Sequence, residues 1–214
     1  MHIRTFHNEA DFIKKSASLI LDATKNKGFN IAISGGNTPK PIYKAVADQL
    51  KQLPENQSLE GHFYQVDERY TPASNDKSNQ KMILEAGIPL NMHFKTTLSL
   101  PKCIEEYDKK LPKTPFDLCV LGIGPDGHTA SIFPNSSAIN STQSVVHTTT
   151  KEFDVKDRLS LTFKVIMQAK SLLVLIKDRP KVLSQLKNPR KNENQFPALK
   201  LLQHPKLMIH NFRI

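Results

Sequence analysis

LCVLGIGPDGHTASIFP, residues Leu118 to Pro134, joins an apolar run to a loop that holds Gly122, Gly124 and Gly127 and then His128, Thr129 and Ser131. The run predicts a buried strand, and the loop predicts a histidine delivered to that strand's exposed end. Open α/β sheets keep their binding sites at strand ends, where loops rather than packed helices wall the crevice. GIGPDG also has the GxGxxG spacing, but a dinucleotide site requires a helix directly after the glycines and an acidic residue about 20 positions on. HTASIFPNSS lacks a helical apolar period, and SVVHTTT contains no acid. The loop therefore reads as a holder for His128 beside Asp126. A histidine there can act as a general base, with the carboxylate fixing its tautomer; the alternative is a loop histidine that only caps neighbouring backbone. GxSxG is absent, so a nucleophile-elbow serine hydrolase is not expected. Asp126 and His128 alone lack a third ligand for a metal, and no metal site is expected.

Outward from this stretch, strands alternate with helices, which predicts an α/β fold with a parallel sheet covered on both faces. Asn8 to Asn26 has helical spacing with Asn8 as cap, and Phe29 to Ser34 reads as a strand ending in SGGNTPKP. A helix follows, with Thr38 and Pro39 as cap and first turn. His62 to Val66 predicts a strand ending in DERY, and Ser78 opens a helix over Asn79 to Ala86. A short strand is expected around His93 to Leu98 and a short helix over Ile104 to Leu111. Beyond Pro134 come β-rich Ser144 to Thr150 and Leu159 to Phe163, a strand Ser171 to Ile176, a helix Pro180 to Leu186, and an edge strand Leu207 to Ile209.

The chain has 214 residues, 38% of them hydrophobic, enough for one domain with an ordinary core. Cys103 and Cys119 are too few for a disulfide frame, which suits a reducing compartment. The start, MHIRTFHNEADF, has no apolar signal-peptide core, and no apolar stretch spans a bilayer, so a cytoplasmic protein without membrane partners is expected. The net charge is +10, and from Lys151 onward 14 basic residues face 5 acidic ones. That field suits an anionic small substrate, nucleic acid, or solubility alone. With 7% aromatic residues and no recognisable binding motif, nucleic acid is not the expected partner.

Three strand ends carry polar motifs, and a parallel sheet brings such ends to one edge. In SGGNTP, Gly35 and Gly36 let backbone approach an anion, Ser34 and Thr38 add hydroxyls, and the next helix presents free N–H groups; a plain tight turn is the alternative. In DERY, strand alternation points Asp67 and Arg69 the same way, either to grip an anion or to close the sheet edge with ion pairs.

Together, SGGNTP, VDERY with Ser78 and Asn79, and LGIGPDGHTASIFP closely resemble the 6-phosphogluconolactonases, most strongly over Ile31 to Pro134. The resemblance implies a three-layer α/β/α fold with a Rossmann-like sheet, shared with glucosamine-6-phosphate deaminases. It also implies cofactor-free and metal-free hydrolysis of 6-phosphoglucono-δ-lactone in the oxidative pentose phosphate pathway. By position, His128 is implied as general base, with Asp67 and Asp126 flanking it. Ser34, Gly35, Gly36 and Thr38 match the phosphate loop, Arg69 and Arg158 match substrate contacts, and Lys181 keeps the lysine of a Gly-x-x-Lys pattern whose glycine is here Asp178. Deaminases resemble one another in a loop ending FNEP; here it ends SIFP, with Phe133 at the glutamate position. A deaminase-like isomerase and a non-catalytic phosphosugar binder remain the alternatives.

Overall fold

The computed structural model describes residues 2–54 and 59–213. Seven strands form one parallel sheet: β1 (His2–Phe6), β2 (Phe29–Ile33), β3 (Gly61–Gln65), β5 (Leu90–Met92), β6 (Leu118–Gly122), β9 (Leu172–Lys177) and β10 (Leu207–Phe212), in the order β1-β10-β9-β6-β2-β3-β5. The remaining strands, β4 (Asp67–Arg69), β7 (Val145–Thr149) and β8 (Asp157–Leu161), form a small antiparallel sheet in the order β4-β8-β7.

β6 shows why the central strands are apolar throughout. Leu118 and Val120 enter one core, with α1 (Glu9–Thr24), α2 (Lys40–Leu50) and α3 (Asn79–Glu85), while Cys119 and Leu121 enter the other. That second core takes side chains from α4 (Leu100–Lys110), α5 (Phe163–Ile166), α6 (Pro180–Lys187) and the small sheet. Strands buried on both faces cannot alternate apolar with polar residues. The result is a three-layer α/β/α arrangement with a mostly parallel, Rossmann-like sheet.

The chain leaves β2 toward β3 and β5 on one side, then returns to β6 and continues to β9 and β10 on the other. The β2/β6 boundary is thus the topological switch point, where the diverging connections leave a crevice beyond the strand ends.

Several boundaries differ from the sequence expectation. The short strand lies at Leu90–Met92, before the expected His93 to Leu98, because Phe94 turns inward against Tyr107, with ring centroids 3.9 Å apart. The helix expected over Ile104 to Leu111 starts earlier, at Leu100, with Pro101 in its first turn. Thr38 does not cap α2, which begins after Pro39 with no side-chain cap bond. Leu207–Phe212 is not an edge strand: it lies between β9 and the edge strand His2–Phe6, whose residues carry no regular apolar/polar alternation. Among the described residues, no helix is long and apolar enough to cross a membrane.

Candidate active site

A cavity of about 230 Å³ opens at the switch point, and the three polar motifs of the sequence meet in it. Its walls are the turn Ser34 to Pro39 after β2, Asp67 and Arg69 on β4, Asn79 on α3, and the loop from Gly122 through Phe133 after β6. Arg158 of β8 and Arg179 after β9 complete them, together with Phe153.

The first wall has the makings of an anion cradle. Ser34 donates its N–H to Val120 O at 3.0 Å, and its carbonyl accepts the Tyr43 hydroxyl at 2.8 Å. The Ser34 Oγ, in a residue only 6% exposed, has no hydrogen-bond partner among the described residues. A buried polar atom in that state is costly unless a ligand completes it. Gly35 is required sterically, since a Cβ there would overlap the Asn79 carboxamide. The uncapped N-terminus of α2 adds its free N–H groups and the positive end of its dipole.

The second wall is built by β4. Asp67 and Arg69 face the cavity, while Glu68 between them is buried on the other side, as strand alternation requires. Glu68 accepts from Gln65 Nε2 at 2.6 Å, from the N–H groups of Arg69 and Asn79 at 2.7 Å, and from the Gln80 N–H at 2.8 Å. Burial nonetheless lifts its carboxyl above the ordinary range against these bonds. Arg69 donates to Asn79 Oδ1 and, at 3.2 Å, to Lys77 O; Asn79 Nδ2 donates to Asp67 O at 2.9 Å. Asp67 also accepts the Ser131 hydroxyl at 2.7 Å, tying this wall to the histidine loop.

Arg158 pairs directly across from Arg69 in the antiparallel ladder. Like charges so placed repel. Burial, and next the Arg69 charge, hold the Arg158 guanidinium below its ordinary value, against the pull of Asp67 and Glu68. The Arg158 Nε is buried and has no partner among the described residues. Two facing guanidinium groups with an unmet donor make a site for an anion.

The third wall carries the histidine. His128 Nδ1 lies 2.5 Å from Asp126 Oδ1, which also accepts the His128 N–H at 3.2 Å. Burial works to raise the Asp126 carboxyl, but the His128 hydrogen bonds and charge outweigh it and hold the group below its ordinary value. With Nδ1–H directed at a carboxylate, the lone pair resides on Nε2, the arrangement of a general base. The turn is closed by Gly124 N–H to His128 O at 2.8 Å and by the Thr129 hydroxyl to Gly122 O at 2.9 Å. Phe133 packs against the imidazole with ring centroids 4.9 Å apart.

Of the residues singled out from sequence, Ser34, Gly35, Gly36, Thr38, Asp67, Arg69, His128 and Arg158 line the cavity. Asp126 lies behind His128 as its hydrogen-bond partner. Lys181 does not line the cavity: it sits in the first turn of α6, exposed, and Arg179 occupies the wall instead. Asp178, at the glycine position of the pattern, itself adopts a left-handed φ of +49°. Sequence reasoning missed Arg179 and Phe153. The only local signal for Phe153 was a single aromatic in charged KEFDVK. Among the described residues, no group of three His, Cys, Asp or Glu side chains is arranged to hold a metal ion.

Known proteins share this frame. The chain is 32% identical over 217 residues to a probable 6-phosphogluconolactonase from Dictyostelium discoideum, covering 91% of this chain and 89% of that protein. The crystal structure of 6-phosphogluconolactonase from Thermotoga maritima superposes with a TM-score of 0.82 at 25% identity, covering 99% of this chain and 98% of that one. A monomeric glucosamine-6-phosphate deaminase shares the fold with a TM-score of 0.86 at 19% identity, covering 100% of this chain and 98% of that one. The model of the family described as glucosamine-6-phosphate isomerases/6-phosphogluconolactonase matches residues 7–209, and the chain belongs to that family.

Proposed function

We propose that this chain hydrolyses 6-phospho-D-glucono-1,5-lactone to 6-phospho-D-gluconate, a step of the oxidative pentose phosphate pathway. The observation that carries the reading is His128, held by Asp126 at 2.5 Å and lining one cavity together with an anion cradle. Relatives that bear the lactonase name support it. In the proposed reaction, the Ser34 to Thr38 turn holds the phosphate, so that binding energy sets the position of the lactone carbonyl. His128 Nε2 takes a proton from water as the water oxygen attacks the carbonyl carbon, and Asp126 stabilises the imidazolium. The carbonyl oxygen becomes an oxyanion, for which Arg69 and Arg158 supply positive charge. Collapse of the intermediate breaks the ring C–O bond, and the imidazolium returns the proton to the departing ring oxygen. The products are a carboxylic acid, which ionises, and a free hydroxyl.

Phe133 favours this reaction over amine release. Deaminase-type ring opening calls for an additional carboxylate at that loop position, and Phe133 is apolar and 7% exposed. The test is pH-stat turnover of the lactone, corrected for spontaneous hydrolysis, beside ammonia release from glucosamine 6-phosphate. Lactone hydrolysis without ammonia is expected, and His128→Asn should lower kcat by about 10²-fold or more. Ammonia release, or an unimpaired folded His128→Asn variant, would overturn the assignment.

A further inference from the structure

The segment between β7 and β8, KEFDVK, is charged apart from Phe153 and Val155. Phe153 is 40% exposed, so core formation does not account for it. Its ring nevertheless meets three side chains of the cavity. The His128 ring lies edge-on at 5.6 Å, the Phe133 ring lies at 6.2 Å, and the Arg158 guanidinium carbon sits 5.4 Å from its centroid. These partners come from β8 and from the loop after β6, so the contacts depend on tertiary structure.

The loop that carries Phe153 is held in place. Thr150 N–H donates to Lys156 O at 3.1 Å, and Glu152 N–H donates to Thr150 Oγ1 at 3.1 Å. Asp154 pairs with Lys77, which bridges to the segment before α3. At its base, Tyr70 N–H donates to Asp157 O at 3.0 Å. The ring is thus presented over the cavity by an ordered turn, with one part packed on His128 and Arg158 and the rest open.

We infer that Phe153 is a substrate-positioning residue whose open ring surface packs against the C–H face of the sugar ring of a bound phosphosugar. The inference rests on the phosphosugar reading of the cavity given above. The anion cradle fixes the phosphate end and His128 addresses the reacting end; the ring between them has apolar C–H edges that need an apolar surface. Polar and charged groups dominate the cradle and β4 walls, and Phe133 is 7% exposed, whereas Phe153 is open. An aromatic face offers large contact area at low conformational cost.

The test separates ring recognition from phosphate recognition. Calorimetric binding of glucose 6-phosphate and of inorganic phosphate is measured for the wild type, Phe153→Ala and Phe153→Trp. Phe153→Ala should weaken glucose 6-phosphate by about 3- to 10-fold, the range of a lost aromatic contact, and leave inorganic phosphate unchanged. Phe153→Trp should restore ring binding. With the lactone, Phe153→Ala should raise KM more than it lowers kcat. Equal weakening of both ligands would mean a general structural role and would overturn the inference, as would no weakening of either. A wild type that binds neither ligand overturns this inference and the phosphosugar reading together. A wild type that lacks lactone turnover but shows the ring-selective loss in Phe153→Ala overturns the lactonase assignment and supports Phe153 as positioning residue.

Discussion

At Gly124 the backbone runs close against the proposed base. A Cβ there would overlap the His128 ring and crowd the Asp126 carboxylate. Gly124→Ala should therefore displace the pair while leaving the strand before it intact. The expected result is a loss of about 10²-fold in lactone kcat, the scale of a roughly 1 Å misplacement, with inorganic phosphate binding retained; single-turnover kinetics and calorimetry check both parts. The sequence made this glycine legible as part of a loop that holds a histidine, but the requirement for close approach appears only when ring and backbone are seen together. Asp178 and Lys181 are the opposite case. The pattern Gly-x-x-Lys assigns the cation to Lys181, whereas the left-handed turn at Asp178 and the start of α6 at Pro180 leave Lys181 exposed and Arg179 on the wall. A spacing pattern says which residues are near a turn; the backbone path decides which one reaches inward.

Among the elements, β4 has only three residues, and its place is set by what Glu68 binds. The buried Glu68 carboxylate accepts N–H groups from both the strand and the first turn of α3, so it fastens the two together. Glu68→Ala leaves those donors unmet in the interior and should cost about 2–4 kcal/mol at neutral pH. Urea unfolding would measure it, and a loss below about 1 kcal/mol would show that water replaces the carboxylate. The sign of its pH dependence follows from the raised carboxyl. The folded state keeps this proton longer, so the proton-linked part of its contribution is fully present below the ordinary glutamate pKa and is lost as pH rises through the lifted value, while the hydrogen bonds to the N–H groups remain. Alternation within DERY foretold that Asp67 and Arg69 share a side, because that periodicity is local. The partner strand was not foretold: β8 brings Arg158 opposite Arg69 from about 90 positions away, a long-range pairing that nothing in either segment specifies alone.

Across the whole molecule, the two ends of the described chain lie side by side. β1 pairs along its length with β10, and His210 of β10 meets Ser16 of α1, Nδ1 to Oγ at 2.8 Å. Burial, reinforced by the Arg4 and His2 charges, lowers the His210 imidazole to about 4. The folded state therefore holds His210 neutral, while the unfolded chain takes up a proton near the ordinary histidine pKa. Stability from this group is present above about pH 6.5 and is lost as pH falls through 4, a loss on the order of 3 kcal/mol in all. Urea midpoints at pH 7.5 and 4.5 should fall further for the wild type than for His210→Gln, which keeps a side-chain hydrogen-bonding group without the titration; equal falls would remove His210 as the source. The basic last third likewise divides on folding. Arg158 and Arg179 enter the cavity wall, while Lys187, Arg190 and Lys191 stay exposed. The charge asymmetry pointed to an anionic substrate without identifying which cations meet it.

From residue order alone came the strand and helix periods, the glycine turns, the cradle motif, His128 with its neighbour Asp126, and the family. All but the family are short-range properties, written within about ten residues as apolar period, steric freedom and adjacent polar groups; the family is carried by three such motifs in order along Ile31 to Pro134. The fold was needed for the small antiparallel sheet, for β1 at the sheet edge, for the facing pair Arg69 and Arg158, and for Arg179 and Phe153 on the wall. Those features depend on contacts between distant segments, where local periodicity imposes no constraint and side-chain direction follows from packing. The stretch Leu118 to Pro134 belongs to both groups. Its own residues bring His128 to a strand end, and packing against Phe133 and Phe153, between walls set by the turn after β2 and by β4, makes that end a cavity.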